Sequence, residues 1–115
     1  MQSTTRSYPR GDTVGQQQHL LDSLREFEFH GMHVPEHDHG GLVRYLSQGV
    51  PPGDFLTAVL QNDLREALGR ADETNMHALP AIVAWLYNNA AAGSWGSRER
   101  FDDWLKMDWT SARAG

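Results

Sequence analysis

A chain of 115 residues with net charge −5, 39% hydrophobic residues and four Trp has the size and apolar content of one domain with its own core. The lack of Cys excludes disulfides, thiolate zinc sites, thiol catalysis and iron–sulfur clusters. No run approaches the roughly 18–20 continuous apolar residues of a membrane span, no signal-peptide core opens the chain, and the nine Arg and one Lys are scattered, which disfavours a phosphate-binding face.

Residues 1–13 are polar, with Pro9 and Gly11, and read as a disordered leader. From about Val14 a helix is expected, with Leu20, Leu21, Leu24 and Phe27 on its apolar side and Asp12 or Thr13 as cap. The following EFEFHGMHV alternates, so the spacing over 26–34 fits a short extended segment as well as helix. Residues 39–49 predict a helix with Leu42, Tyr45 and Leu46 inward and Gly49 as left-handed stop. Pro51-Pro52-Gly53 opens the next element, with Pro52 tolerated in a first turn. It carries Phe55, Leu56, Val59 and Leu60, then Leu64, Ala67 and Leu68. Asn62 or Asp63 is a cap in its middle, so 54–70 is either one kinked helix or two short ones. Asp72 starts the longest helix, whose stripe of Met76, Leu79, Ile82, Val83 and Leu86 runs through Pro80. After the loop AAAGSWG, Ser97 caps a last helix with Phe101, Trp104 and Leu105 on one face. The expectation is an all-α bundle of about five short helices over residues 14–109, with 110–115 frayed.

The densest chemistry is HGMHVPEHDHGG, where His33, His37 and His39 with Glu36, and His30 nearby, are possible ligands for zinc, nickel or iron. Their spacing matches no established metal motif, and Pro35 with Gly40-Gly41 marks the segment as a loop, so the preferred reading is a polar surface loop, with metal binding the alternative. No nucleophile elbow, Walker loop or dinucleotide fingerprint occurs, and no cofactor is expected. Among the aromatics, Trp95 is flanked by Gly93, Ser94, Gly96 and Ser97 and either plugs the core or stands out as an anchor. Trp109 is a second anchor candidate, and Tyr87 and Arg44 complete the candidate partner-binding set.

The blocks PPGDFLTAVLQNDL, GRAD, WLYN and SWGS resemble a family of small proteins encoded in bacteriophage and prophage genomes, over about residues 26–105. Ala91-Ala92 stands where that pattern has a Pro before SWGS. The resemblance implies phage or prophage origin and expression in the cytoplasm of a bacterial host, and brings no established activity. With the composition it sets the functional expectation: a non-catalytic accessory protein that binds and modulates a host or phage protein. A metal-binding protein or metal enzyme using the histidine cluster is one alternative. Nucleic-acid binding through Arg44, Arg65 and Arg70 is another, and a homo-oligomer closed by the last helix a third.

Overall fold

Three helix starts follow from one short-range bond each. Asp63, Asp72 and Ser97 sit just before apolar runs, and each side chain accepts the backbone N–H three residues on, from Glu66, Asn75 and Arg100. In the computed structural model, which describes residues 13–110 and 112, these caps open α4 (Leu64–Arg70), α5 (Glu73–Asn89) and α6 (Arg98–Leu105). Before them come α1 (Thr13–Glu26), α2 (Glu36–Gln48) and α3 (Asp54–Leu60). The fold is all-α, with six named helices among the described residues rather than about five, because 54–70 divides in two. The divider is Asn62, left-handed at φ 60°. Its N–H donates to Val59 O at 3.0 Å and that of Asp63 to Ala58 O at 2.9 Å, the paired bonds of a Schellman turn.

Helix α1 begins at Thr13, inside the stretch expected to be a leader; the rest of that stretch, including Asp12, lies outside the described residues. Helix α2 starts earlier than predicted, at Glu36. Pro35 at the cap position forfeits no intrahelical bond, and Glu36 and Asp38 place negative charge at the positive end of the helix. So half of the expected histidine loop is helical. Gly41 is useful there: a Cβ would come within 3.1 Å of Leu56 Cδ1, so its absence lets α3 lie close. Gly49 ends α2 in the left-handed conformation, as predicted. Pro52 falls outside the next helix, whose cap is Gly53. The alternating segment forms a tight turn with a single bridge between Phe29 and Met32, with no strand among the described residues.

The core gathers Leu20 and Leu24 of α1, Leu42, Val43, Tyr45 and Leu46 of α2, Phe55 to Leu60 of α3 (less Thr57), and Ile82, Trp85 and Leu86 of α5. Trp85 is wholly buried and its indole N–H donates to Ser23 Oγ at 3.0 Å; Ser23 Oγ donates in turn to Asn89 Oδ1 at 3.2 Å. A Ser23→Ala variant strands that indole N–H, and a loss of about 1–3 kcal/mol is expected from denaturant unfolding. An unchanged midpoint would mean that water replaces the hydroxyl.

At the far side Trp104 donates to Tyr45 O and Trp109 to Trp104 O, both at 2.8 Å, and the Tyr45 and Phe101 rings stack at 5.3 Å. The chain beyond α6 therefore folds back on the end of α2, and Ala112, in the stretch expected to fray, is buried.

Candidate functional site

Six large hydrophobic residues are exposed among the described residues, and five of them sit on α4 and α5: Leu64, Leu68, Met76, Val83 and Tyr87. Helix α5 explains how this arises. Its buried side is Ala78, Ala81, Ile82, Trp85 and Leu86. That leaves Met76, Val83 and Tyr87, at i, i+7 and i+11, as a second apolar stripe pointing outward. The predicted stripe mixed the two sides, since it placed Met76 and Val83 with Ile82 and Leu86. In α4 only Ala67 is buried, so Leu64 and Leu68, expected inside, face out as well.

Between these stripes lies a trough. Its first depression is lined by Val59, Leu64, Ala67, Leu79, Val83 and Trp95, with Asp63 the one charged residue in its wall. It holds about 170 Å³, below the roughly 300–1,000 Å³ of small-molecule sites. It suits one or two apolar side chains of a protein better than a cofactor. A second depression continues on the other side of Trp95, between Tyr87, Ala90, Ala92 and Gly93, with Arg100 as its charged wall.

The loop that carries Trp95 is pinned from behind. Ser94 is buried, its hydroxyl and N–H both donate to Ala91 O, and its carbonyl accepts from the Tyr45 hydroxyl at 2.7 Å. Gly96, at φ 114°, a value that strains any side chain, donates its N–H to Leu60 O at 2.8 Å. Trp95 is thus half-buried: one side packs on the core and the other forms the ridge of the trough. It therefore does plug the core, and it keeps part of its ring at the surface.

The other candidate anchors separate. Tyr87 is 81% exposed and borders the second depression. Arg44 is exposed away from the trough, with its guanidinium over Gly40 in a cleft shared with His37 and Pro52. Trp109 is corrected: at 2% exposure, with its indole N–H bonded to Trp104 O, it fills the core and offers a partner no surface. Its place after α6 looked exposed in sequence because the contact it makes, with the turn at Gly49, is 60 residues away.

The histidine cluster does not converge. His33 donates its Nδ1–H to Phe27 O at 3.0 Å, and buried His39 donates its Nε2–H to Val34 O at 2.9 Å. Glu36 is exposed in the first turn of α2. Among the described residues no three His, Asp or Glu side chains form a set able to hold a metal ion.

His37 joins an electrostatic centre that was not foreseen, and His39 lies close enough to act on it. The His37 Nε2 lies 3.7 Å from both Asp38 Oδ1 and Asp72 Oδ2, linking the starts of α2 and α5. Asp38 is buried with its Oδ2 unpartnered, and neighbouring Asn75 has a buried Oδ1 also without a donor. Burial, reinforced by Asp72, pushes the Asp38 carboxyl up to about 6, against the lowering pull of His37, His39 and the Asn75 amide.

No helix among the described residues is long and apolar enough to cross a membrane. Compared with known protein families, with curated proteins and with solved structures, the chain matches none.

Proposed function

We propose that this chain is a phage- or prophage-encoded accessory protein, non-catalytic and working in the bacterial cytoplasm, which binds a host or phage protein and modulates it. The trough between α4, α5 and the Trp95 loop is its working face. The observation that carries this reading is the exposed apolar lining there: Leu64, Val83 and Tyr87 border the two depressions on either side of a rigidly mounted Trp95, and Leu68 and Met76 are exposed on the same two helices. Contiguous apolar surface on a folded domain marks contact sites, and an aromatic anchor amid small apolar pockets is the usual form of a binding hot spot. The acidic balance and the family resemblance supply the setting.

The test is capture from bacterial lysate with the wild type, a Trp95→Ala variant and a Tyr87→Ala variant. One protein held stoichiometrically by the wild type is expected to lose at least tenfold in affinity with either variant, since truncating a hot-spot aromatic costs about 2 kcal/mol or more. Tyr87 is exposed enough that its loss leaves the fold intact, which separates a binding defect from an unfolded variant. A partner kept in full by both variants would move the contact off the trough. No partner from any host or infected lysate would overturn the reading.

A further inference from the structure

Asp72 works in two directions. Its Oδ1 caps α5 by accepting the Asn75 N–H at 2.7 Å, and its Oδ2 faces His37 Nε2 at 3.7 Å. The same ring nitrogen lies 3.7 Å from Asp38 Oδ1. At that distance the ring makes no hydrogen bond to either carboxylate, so it draws the two together only when it carries charge. Histidine is the side chain whose charge changes between about pH 5 and 8. Without that charge, two carboxylates are left facing one another across the starts of α2 and α5.

Asp38 is the buried half of this pair. Asn75, also buried, lies against it from the first turn of α5, and the Asp38 Oδ2 is without a donor. Lifting that turn lets water reach the carboxyl, which the ionised form favours and the protonated form does not. The groups that act on Asp38 are His37 and His39 on its own helix, and Asp72 and the neutral Asn75 amide from α5. Arg44 of α2 and Asp54 of α3 border the cleft that Asp38 lines, with Asp54 paired to Arg70 at 3.4 Å. Only Ala71 and Asp72 separate α4 from α5 in the chain, and Ala67 is the one buried residue of α4. What holds Asp72 therefore holds the joint between the two helices.

We propose that His37, Asp38, Asp72 and Asn75 form a proton-operated clasp, which pins the α4–α5 joint to α2 when protonated and lets the first turn of α5 lift as the protons leave. Two protons act in the same direction. One on His37 supplies the cation between the carboxylates. One on Asp38 removes a buried charge and places an O–H beside Asn75 Oδ1, the neighbouring acceptor that has no donor. Residues of α4 and α5 line the first depression of the trough together, so the clasp also governs how firmly its walls are held.

Amide exchange with solvent, followed by NMR on the full chain and corrected for the intrinsic rate at each pH, tests this. The reporters are the N–H groups of Asn75 and Met76, bonded to Asp72 Oδ1 and Asp72 O. Their opening should be local, and so unchanged by low concentrations of urea. It should rise at least about tenfold from pH 5.0 to 7.5, as a carboxyl at about 6 when covered and 3.8 when solvated requires. In Asp38→Asn the rise should shrink to the about two- to fivefold that an exposed bridge contributes. A cycle of His37→Gln and Asp72→Asn, which keeps the cap, isolates that bridge. The two substitutions should be coupled about two- to fivefold in the opening constant at pH 5.0 and uncoupled at pH 7.5. Equal coupling at both pH values would make the contact merely structural and overturns the clasp. An opening that keeps one value across the range, or that follows urea as global unfolding does, overturns it too. A full tenfold rise persisting in Asp38→Asn would remove the buried proton from it with the same result.

Discussion

An Asp38→Asn variant is expected to be more stable than the wild type at pH 7.5, and no more stable at pH 4. The carboxyl is buried between the starts of α2 and α5, and its Oδ2 has no hydrogen-bond donor. The folded protein therefore favours the protonated acid, which can donate to an acceptor; the Asn75 amide beside it holds one such acceptor, Oδ1, itself without a donor. The sign follows from linkage. A carboxyl at about 6 when folded and 3.8 when unfolded binds more protons in the native state. Its contribution is fully favourable below about pH 4 and is lost as pH rises toward 6, leaving a penalty on the order of 2–3 kcal/mol above that. This is opposite to the usual acid-labile carboxylate. Asparagine keeps the shape, carries no charge and supplies an N–H at every pH.

Urea unfolding of wild type and variant at pH 4.5, 6.0 and 7.5 measures the effect. Subtracting the two curves removes the other titrating groups, and the difference should grow through the interval and level off above about pH 6–7. A flat difference would mean that Asp38 is solvated, or that His37 and His39 compensate its charge fully. A variant less stable at every pH would mean that the carboxylate is an asset as first-turn charge on α2, outweighing its burial.

The sequence was informative where structure is set within four or five residues. The caps at Asp63, Asp72 and Ser97 and the stop at Gly49 are local bonds or local dihedrals, and each was legible as such. Residues 54–70 stayed ambiguous because Asn62, unlike Gly, only tolerates the left-handed conformation that divides them. Helix α5 shows the limit of periodicity. It is apolar on two sides, so spacing identifies a helix without saying which side meets the core. The choice falls to Trp85, whose indole N–H finds Ser23 on α1 and turns Ile82 and Leu86 inward with it. Met76 and Val83 are left outside, which is how the trough escaped notice. A surplus of apolar residues over one stripe is the signal that could have revealed it. The histidine cluster shows that residue density alone does not imply convergence: two of its rings satisfy nearby carbonyls and a third bridges two carboxylates.

The contact least visible in sequence should have the largest energetic consequence. The Trp109 indole lies over Gly49, so that a Cβ at residue 49 would occupy the space of the ring. Trp109→Ala empties a buried site and should cost about 3–5 kcal/mol. Gly49→Ala meets two penalties at once: the left-handed backbone at φ 66° costs about 1–2 kcal/mol, and displacing a rigid ring packed on Trp104 adds about 1–3 kcal/mol. In the background of Trp109→Ala the second penalty vanishes, because the methyl group enters the cavity. The double variant should therefore be more stable than the sum of the single losses predicts, by about 1–3 kcal/mol of coupling across 60 residues of chain. Additive losses from equilibrium unfolding would mean that the segment after α6 does not rest on the α2 turn, and that Trp109 is free to serve as a surface anchor after all. Strong coupling would fix that segment as the closing element of the core, with Trp95 and Tyr87 as the aromatic side chains left to meet a partner.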